Sequence, residues 1–412
     1  MNDRKDIKPV FLEADKCNGC VSCMKRCPTE AIRVRDGKAA VMYERCVGCG
    51  ECVNVCPTGA KRESYDKLES IAGYKYKVAL PSPSLYGQFN NLTDTSYVLN
   101  GLKALGFDDV FEVAYGAELV SAATKKYLEN PNTVRPVISS ACSAVTNLIL
   151  MRYEHLIPHL SPMKQPEVVA AKLALIEAQK RTGYARAEIG IFVITQCAAK
   201  VSKLKRGNSA KYIDRVLSNR ELYFLLLDKM NKLENPEPLS KAGSLGISWG
   251  SSTGEAMGLG TENYLSADGI ENVIRVLNEL EHDKLTGLDF LELYACPSGC
   301  VGGSMNIENP FLARTRLRRL RKRYAPRKVE IGTASEFMRS EAYEPLNVYR
   351  LDDDRLKAMK MTMKMKAIYE KLPQTDCGAC GAPRCMALAE DIVKGHDVKC
   401  KYRKGEELYD DG

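Results

Sequence analysis

Two copies of one cysteine motif near the start of this 412-residue chain constrain its fold more than any other feature. Each copy follows the pattern C-x2-C-x2-C-x3-C-P; the cysteines are Cys17, Cys20, Cys23 and Cys27 and, 29 residues later, Cys46, Cys49, Cys52 and Cys56. Such a loop supplies three thiolates to a cubane iron-sulfur cluster, and a more distant cysteine supplies the fourth. The duplication predicts a small electron-transfer module, residues 1–66, with two 4Fe-4S clusters.

The fourth cysteine of each motif is expected to bind the cluster of the other motif, as it does in two-cluster ferredoxins. This crossing assigns the first cluster to Cys17, Cys20, Cys23 and Cys56, and the second to Cys46, Cys49, Cys52 and Cys27. A zinc-only site is the alternative, but consecutive motifs of this spacing are typical of 4Fe-4S clusters. The motifs leave open which reaction receives the electrons.

Cysteine usage and the N-terminal sequence favour a cytoplasmic protein. The first residues, MNDRKDIKPV, lack the apolar core of a signal peptide, and no stretch approaches the roughly 18 apolar residues of a membrane span. Because a reducing cytosol keeps thiols free, the 16 cysteines indicate metal rather than disulfides. Only four histidines are present, which disfavours chemistry built on imidazole. We expect no membrane contact.

The formal net charge of +8 raises the question of nucleic-acid binding. Acidic residues are interspersed along the chain, and basic residues concentrate only in the segment Arg314 to Lys328. Such a run is more often a solvated helix face than a nucleic-acid site. We therefore expect no nucleic-acid partner.

The rest of the chain predicts two further domains, residues 67–345 and 346–412. In the first, the apolar strands YKVALP and IGIFVIT alternate with helical stretches such as Val168 to Thr182 and Gly269 to Leu280, which predicts a layered α/β core. The second begins with a charged, methionine-rich segment, Asp352 to Leu372. We interpret this segment as a connecting helix rather than a methionine metal site, because its methionines alternate with lysines at helical spacing.

A last cysteine group near the C-terminus consists of Cys377, Cys380, Cys385 and Cys400. Four cysteines can also hold tetrahedral zinc. The surrounding sequence, LPQTDCGACGAPRCMALAEDIVKG, instead resembles a small 4Fe-4S module of anaerobic redox proteins, in which glycines fold the ligand loop and a helix begins at the third ligand. We therefore expect a third accessory 4Fe-4S cluster.

Four cysteines in the middle domain are far apart in sequence but carry the functional signal. Their contexts are SSAC at Cys142, TQCAAK at Cys197 and ELYACPSGCVGG at Cys296 and Cys300. These segments resemble the three signatures of FeFe hydrogenases, roughly TSCCP, MPCxxKxxE and ExMACxxGCxxG. The resemblance extends over nearly all of residues 1–345, which four unrelated buried cysteines would not explain.

The resemblance implies an α/β fold for the main domain and an α+β class for the chain overall. The main domain, called the H-cluster domain, would have two lobes in which twisted sheets are flanked by helices. A ferredoxin-like N-terminal domain and a small, mostly helical C-terminal cluster domain complete the fold. A 4Fe-4S cluster would bind to Cys142, Cys197, Cys296 and Cys300. Cys300 would also bridge this cluster to a diiron unit with CO, cyanide and dithiolate ligands. The 4Fe-4S cluster and the diiron unit together form the H-cluster. Lys200 would donate to one cyanide, and Ser82 to the other.

Several positions depart from the family's pattern. Ala141 stands where working members have a cysteine that exchanges a proton with the diiron unit, and alanine cannot transfer a proton. Ala123 and Thr124 stand where the family usually carries proton-relay glutamates. Further signature residues are replaced by Ser143, Thr195, Gln196, Lys203 and Tyr294. We expect slow turnover.

Loss of proton-transfer groups beside an intact ligand set resembles the sensory branch of the family, group D rather than group C, because no PAS domain is recognisable. The predicted function is slow, reversible hydrogen oxidation and proton reduction, with electrons relayed through the 4Fe-4S clusters. The expected partners are H2 and protons, a redox or signalling protein, maturation proteins that build the diiron unit and, in a homodimer, a second copy of the chain.

Two alternatives remain open. One is a non-catalytic protein similar to the hydrogenase-like cluster-assembly factors, which keep related cysteines but hold no diiron unit. The other is an ordinary electron-transfer subunit, which would not explain the second and third signatures. Lys200 and the glycine-flanked pair of Cys296 and Cys300 favour a hydrogenase.

Overall fold

The computed structural model describes residues 8–402, so the ends of the first and third predicted domains, 1–7 and 403–412, lie outside the described residues. The strands are β1 (Val10–Leu12), β2 (Ile32–Arg35), β3 (Lys38–Val41), β4 (Lys61–Glu63), β5 (Tyr76–Pro81), β6 (Asp109–Val110), β7 (Val137–Ile138), β8 (Ile189–Thr195), β9 (Arg215–Ser218), β10 (Tyr264–Asp268) and β11 (Phe290–Tyr294). The α-helices are α1 (Ser22–Lys25), α2 (Glu51–Asn54), α3 (Pro83–Tyr86), α4 (Ser96–Ala104), α5 (Val113–Leu128), α6 (Ser143–Arg152), α7 (Pro166–Thr182), α8 (Ala198–Leu204), α9 (Asn219–Met230), α10 (Ser244–Ser248), α11 (Ile270–Glu281), α12 (Pro310–Arg321), α13 (Arg355–Lys371) and α14 (Cys385–Val393). The predicted mixed α/β fold class is confirmed.

The chain divides into two compact units that do not follow the sequence order. Among the described residues, the first unit comprises 8–9, Val47–Gly50 and Glu63–Pro345, and the second comprises Val10–Cys46, Glu51–Arg62 and 346–402. The second unit thus contains most of the ferredoxin-like segment together with the C-terminal segment. The division into three domains stays a prediction.

A four-stranded parallel sheet, in the order β6-β5-β8-β9, forms the larger sheet of the first unit. The predicted strands YKVALP and IGIFVIT are its two central strands, β5 and β8. Ala79 and Phe192 face a core that includes α4 and α9, whereas Val78 and Leu80 face a core that includes α7. A parallel sheet covered on both faces has continuous apolar strands, which is why these two segments were recognisable from sequence.

A second parallel sheet, in the order β10-β11-β7, completes the first unit. Helix α11 matches the predicted stretch Gly269 to Leu280 to within one residue at each end, and α7 matches the other predicted helix. In α11, Ile270, Val273, Leu277 and Leu280 are buried, and their spacing of three and four residues places them on one face.

The basic run Arg314 to Lys328 is helical only in part. Helix α12 ends at Arg321, so the interpretation of the whole run as one helix face was wrong for the last seven residues. Within the helix, Ala313, Leu317 and Leu320 are buried. Arg318 and Arg319 are exposed, as expected of a solvated face.

The second unit joins the two ends of the described chain. The backbone N–H of Val34, in β2, donates to the carbonyl of Gly381 at 2.9 Å, and a Cβ at Gly381 would lie 1.9 Å from the Val34 carbonyl oxygen. The guanidinium of Arg33 donates to Asp391 at 2.8 Å, and both side chains are nearly buried. Only a glycine at position 381 allows this close approach of the two backbones.

The methionine-rich helix α13 belongs to the same unit. Ile368 is its one buried residue, and it packs with Leu372 against Leu388 of α14. Met359 and Met363 are exposed, and their side chains alternate with lysines as the sequence indicated. Within residues 8–402, no helix combines the length and the apolar character that a membrane crossing requires.

Candidate active site and cluster sites

Four segments of the first unit begin where parallel strands end. Ser82 follows β5 directly, and Cys197 lies two residues beyond β8 in the same sheet. Cys142 follows β7, and Cys296 follows β11, which is the neighbour of β7 in the other sheet. The carboxyl ends of parallel strands are where α/β folds usually bind ligands. The fold thus gathers residues that are far apart in sequence.

The four middle cysteines lie within electrostatic range of one another. Burial raises the pKa of Cys300, Lys200 opposes this effect, and the charges of Cys142 and Cys197 raise the pKa further. Burial also raises the pKa of Cys296, and the charges of Cys197, Cys142 and Cys300 raise it further. Thiolates that are buried together repel one another, and metal ions remove this repulsion. The arrangement suits an iron-sulfur cluster.

A cavity of about 20 Å³ lies beside the Cys300 thiol. The predicted residues Ser82, Ala141, Lys200 and Cys300 all line it. It is also lined by residues that the sequence analysis did not assign to a cofactor, chiefly Ser84, Glu167, Gln196, Trp249 and Tyr294. This volume holds about one water molecule.

Lys200 forms a buried ion pair in this cavity. Its ammonium donates to Glu167, the first acidic residue of α7, and both side chains are at most 6% exposed. Burial alone would lower the pKa of Lys200, but the charges of Glu167 and Cys300 outweigh burial, and the pKa is raised. Lys200 is therefore a cation whose charge is already largely neutralised by Glu167.

The first ferredoxin site lies within the second unit. Cys17, Cys20, Cys23 and Cys56 line one small cavity, so the structure places the fourth cysteine of the second motif with three cysteines of the first. Lys61 also lines this cavity; it is 1% exposed, and its ammonium has no hydrogen-bond partner among the described residues. An unpaired buried charge is costly, and an anionic cluster would offset it.

The internal repeat is visible in the hydrogen bonds around two of the thiols. The backbone N–H of Ala60 donates to the sulfur of Cys56 at 3.2 Å. At the equivalent place in the first motif, Ala31 donates to Cys27 at the same distance. Such N–H groups aimed at sulfur stabilise the thiolate form that a cluster requires.

The second ferredoxin site is described by its neighbours. Burial raises the pKa of Cys52, and the charges of Cys46 and Cys27 raise it further, so these three thiols lie close together. The fourth predicted ligand, Cys49, lies in the loop Val47–Gly50, which belongs to the first unit. In that loop a Cβ at Gly48 would lie 2.9 Å from the Cα of Ala199, in α8. The loop therefore packs against the residues that follow Cys197.

The C-terminal site brings together its four predicted ligands. Cys377, Cys380, Cys385 and Cys400 line one cavity. Gly378 and Gly381 have φ values of +81° and +79°, which glycine adopts readily. Helix α14 begins at Cys385, the third ligand, as the sequence indicated.

Comparisons with known proteins assign the chain to a family. The family described as "Iron only hydrogenase large subunit, C-terminal domain" matches residues 75–258 and 250–304, more than half of the chain. The chain belongs to the iron-only hydrogenase family. The 4Fe-4S dicluster domain family matches residues 9–57, and an Fe-S cluster family matches residues 372–401. These matches confirm the resemblance that the cysteine motifs indicated.

Individual relatives are distant. The cytosolic Fe-S cluster assembly factor NAR1 of Coccidioides immitis (strain RS) is 27% identical over 150 residues, which are 35% of this chain and 24% of the relative. The match thus spans about a quarter of the relative's length. Two solved variants of the FeFe hydrogenase HydA1 from Chlamydomonas reinhardtii, one in the apo form, have 17% and 16% identity and TM-scores of 0.47. Each match covers 66% of this chain and 90% of the HydA1 chain.

The chain, although a member of the iron-only hydrogenase family, has no titratable side chain at the proton-transfer positions that the resemblance assigns. Ala141 lines the cavity, and its backbone N–H donates to the hydroxyl of Ser139 at 3.2 Å. Ala123 and Thr124 are buried in α5, and the Thr124 hydroxyl donates to the Val120 carbonyl at 2.9 Å. The Thr124 hydroxyl is therefore occupied within its own helix.

Sequence reasoning missed a pair of buried carboxylates near these positions. Burial and the charge of Glu292 raise the pKa of Glu255 to about 8. Burial also raises the pKa of Glu292 to about 7, although the backbone N–H groups of Ala256 and Glu255 oppose the shift. The hydroxyl of Ser139 donates a hydrogen bond to Glu255. Tyr294 lines the cavity, and burial together with the charge of Glu292 raises the pKa of Tyr294. One signal was available: Glu255 is the only charged residue between Ala242 and Gly260.

The residues around Cys300 offer the kinds of donor that the resemblance assigns to a diiron unit. A thiol, an ammonium and the hydroxyl of Ser82 share one cavity. One feature departs from that assignment: Glu167 neutralises Lys200.

Proposed function

We propose that the chain is a slow, sensory-type FeFe hydrogenase that reacts reversibly with H2 at a diiron unit bound to Cys300. One observation supports this best: four cysteines distant in sequence converge, and the cavity beside Cys300 contains Lys200 and Ser82. An ordinary electron-transfer subunit would need four converging cysteines for a cluster, but it would not need a cavity that contains Lys200 and Ser82.

The chain's own residues would bind the diiron unit and control access to it. When bound, that unit supplies the centre at which H2 is split or formed. Lys200 and Ser82 would hold its anionic ligands by charge and hydrogen bonding, and the buried indole of Trp249 would help to exclude water. Because Ala141 cannot exchange a proton, proton delivery is expected to limit the rate.

Glu255 and Glu292 are the proposed substitutes for the missing proton relay. With pKa values of about 8 and 7, the two carboxyls hold at least one proton between them at neutral pH. Tyr294 lines the cavity and lies close to Glu292, which does not line it. A proton held here would reach the cavity less directly than one on a cysteine at position 141, which is consistent with slow turnover.

Electrons would leave through the accessory clusters. Within the first unit, the loop that carries Cys49 packs against α8, next to the active-site cysteines. Within the second unit, Lys25, two residues after Cys23, donates to the carbonyl of Pro383 at 2.9 Å. The C-terminal site therefore neighbours the first ferredoxin site. Cys377 is exposed there, so we propose this module as the contact point for a redox or signalling partner.

A non-catalytic iron-sulfur role is the second candidate, and the ion pair of Lys200 and Glu167 favours it. A carboxylate at this place repels anionic ligands. The partial similarity to a cytosolic Fe-S cluster assembly factor also favours a non-catalytic role.

An infrared spectrum of the protein after maturation with the diiron cofactor, recorded before and after exposure to H2, distinguishes the two candidates. The hydrogenase proposal requires CO and cyanide bands that shift under H2. The matched control is Cys300→Ala, which should lose these bands but keep the electron paramagnetic resonance signals of the ferredoxin clusters. Absence of the bands in the unaltered protein, with all 4Fe-4S clusters present, would support the non-catalytic role.

A further inference from the structure

A second cavity in the first unit is much larger, about 340 Å³, and lies beside the active-site cysteine Cys142. Ser140 and Ser143, on either side of this cysteine, both line it. No described residue lines both this cavity and the small one at Cys300. Its volume lies within the range of about 300–1,000 Å³ that small-molecule sites usually have.

The charge of this cavity is strongly positive. The lining includes the cations Lys164, Lys203, Lys211 and Arg339. Glu341 is the one carboxylate among the lining residues, and it accepts a hydrogen bond from Asn208 at 2.9 Å. Three net positive charges around one cavity create a potential that attracts anions.

Lys203 is informative because its charge is opposite to that of the family's signature. The signature MPCxxKxxE ends in glutamate at this position, and here a lysine lines the cavity instead. Lys164 shows a related effect: burial and the charge of Lys172 lower its pKa. A bound anion would stabilise the charged form of Lys164 and so offset the effects of burial and of Lys172 on its pKa.

Two buried polar atoms of the cavity lining have no hydrogen-bond partner among the described residues. One is the donor Nη1 of Arg339, whose guanidinium lies 3.8 Å from the ring centroid of Tyr343. The other is the acceptor Oε1 of Gln165, whose amide group donates to Ser143 at 2.7 Å. Buried groups of this kind normally have partners, so a ligand with one acceptor and one donor would fit both.

The remaining wall is apolar and aromatic. Met163, Val168, Met338 and the rings of Tyr212 and Tyr343 line it. Flat ring systems pack favourably against tyrosine and methionine side chains. An anion without an organic part would leave this wall without a contact.

We propose that this cavity binds a nucleoside phosphate. The phosphate would lie among Lys164, Lys203, Lys211 and Arg339, the base against the tyrosines and methionines, and a ligand hydroxyl or amine on Gln165. Because Ser140 and Ser143 line the cavity on either side of Cys142, the bound ligand would lie beside an active-site cysteine. The site does not require the diiron unit, so it can be tested independently of hydrogen chemistry.

Isothermal titration calorimetry of the full-length protein with its 4Fe-4S clusters tests this, with AMP, ADP and GDP as probes. At least one nucleotide should bind, and Lys203→Glu should weaken its binding at least 10-fold. The matched control Lys180→Glu, an exposed charge reversal on α7, should change affinity less than twofold. If Lys203→Glu lowers the melting temperature, Arg339→Met serves as the second test. This substitution keeps much of the side-chain bulk and should also weaken nucleotide binding.

Three outcomes would contradict the proposal. None of the three nucleotides binds the unaltered protein; or binding is unchanged in both Lys203→Glu and Arg339→Met; or inorganic phosphate binds as tightly as the nucleotides, so that the apolar wall contributes nothing. Each of these results is independent of the infrared measurement on the diiron unit.

Discussion

Two buried lysines show how differently the two cluster-binding regions are arranged. Lys61, in the first ferredoxin site, is 1% exposed and has no hydrogen-bond partner among the described residues. Lys200, in the active-site cavity, is 5% exposed and pairs with Glu167. The ferredoxin site thus contains a positive charge that only an anionic cluster would offset. The active site neutralises its positive charge with its own carboxylate.

The difference indicates that the two regions differ in what their function requires. An unpaired ammonium makes the cluster part of the folded structure, because removing the cluster leaves a buried charge. A paired ammonium allows the active-site cavity to exist in the folded protein without an anionic ligand. The ferredoxin region is therefore suited to permanent occupancy by a cluster, whereas the proposed diiron unit would compete with an internal ion pair.

The largest expected change comes from the proton-transfer position. Ala141→Cys should raise hydrogen evolution by the matured protein about 10-fold or more, because a positioned acid contributes at least that much to proton transfer. Hydrogen evolution from a chemically reduced dye is the measurement. Ala144→Cys, a buried alanine in α6 that does not line the cavity, is the control. No gain would mean that the proton path is lost beyond its last member.

Removing the competing carboxylate should have a smaller effect. Glu167→Gln frees Lys200 to contact anionic ligands, so the intensity of the CO and cyanide bands per protein should rise several-fold after maturation. Glu177→Gln, on the same helix, should leave the intensity unchanged. If Glu167→Gln lowers the intensity instead, then Glu167 supports the diiron site rather than competing for it.

The unpaired lysine predicts a shift in potential. Lys61→Met removes a buried positive charge beside the first ferredoxin cluster, which should lower its reduction potential by about 100 mV, since a charge a few ångströms away is worth a few kcal/mol. Redox titration followed by electron paramagnetic resonance measures this. Lys16→Met removes a half-exposed, salt-bridged charge near Cys17 and should shift the potential far less. Equal shifts would contradict the contrast drawn between the two lysines.

The smallest expected effect concerns pH and Glu255. Its pKa is raised to about 8 from an ordinary value of 4.5, so the folded protein binds this proton more tightly, and the corresponding stability is lost as pH rises through 8. The melting temperature should fall by a few degrees between pH 6 and pH 8.5, and less in Glu255→Gln. The exposed residue Glu262, changed to glutamine, should leave the pH dependence unaltered. An unchanged profile in Glu255→Gln would assign the dependence to other groups.

Local patterns explain what could be predicted from the sequence. The strands β5 and β8 were recognisable as continuous apolar runs, and α11 by its apolar spacing. The cluster motifs were recognisable because three ligands lie within seven residues, as in Cys17 to Cys23. The family signatures placed Lys200 and Cys300 in one site, and both line the same cavity.

Interactions between distant residues could not be predicted in the same way. Glu167 precedes Lys200 by 33 residues, and no local pattern connects them. Glu255 and Glu292 meet only because the segment after α10 packs against β11. The end of α12 at Arg321 also escaped prediction, since the basic run continues without a change in composition. These features depend on tertiary packing, on which the sequence gives only indirect signals.

The pairing of the two chain ends in the second unit has a consequence for biosynthesis. Arg45 pairs with Glu390, which lies 345 residues later, and Arg33 pairs with Asp391 at a separation of 358 residues. At a translation rate of about 5–20 residues per second, these arginines would wait roughly 20–70 seconds for their partners. The nascent ferredoxin segment therefore emerges from the ribosome with two core cations unmatched. We therefore expect cluster insertion into this unit to be most effective after Glu390 and Asp391 have been synthesised.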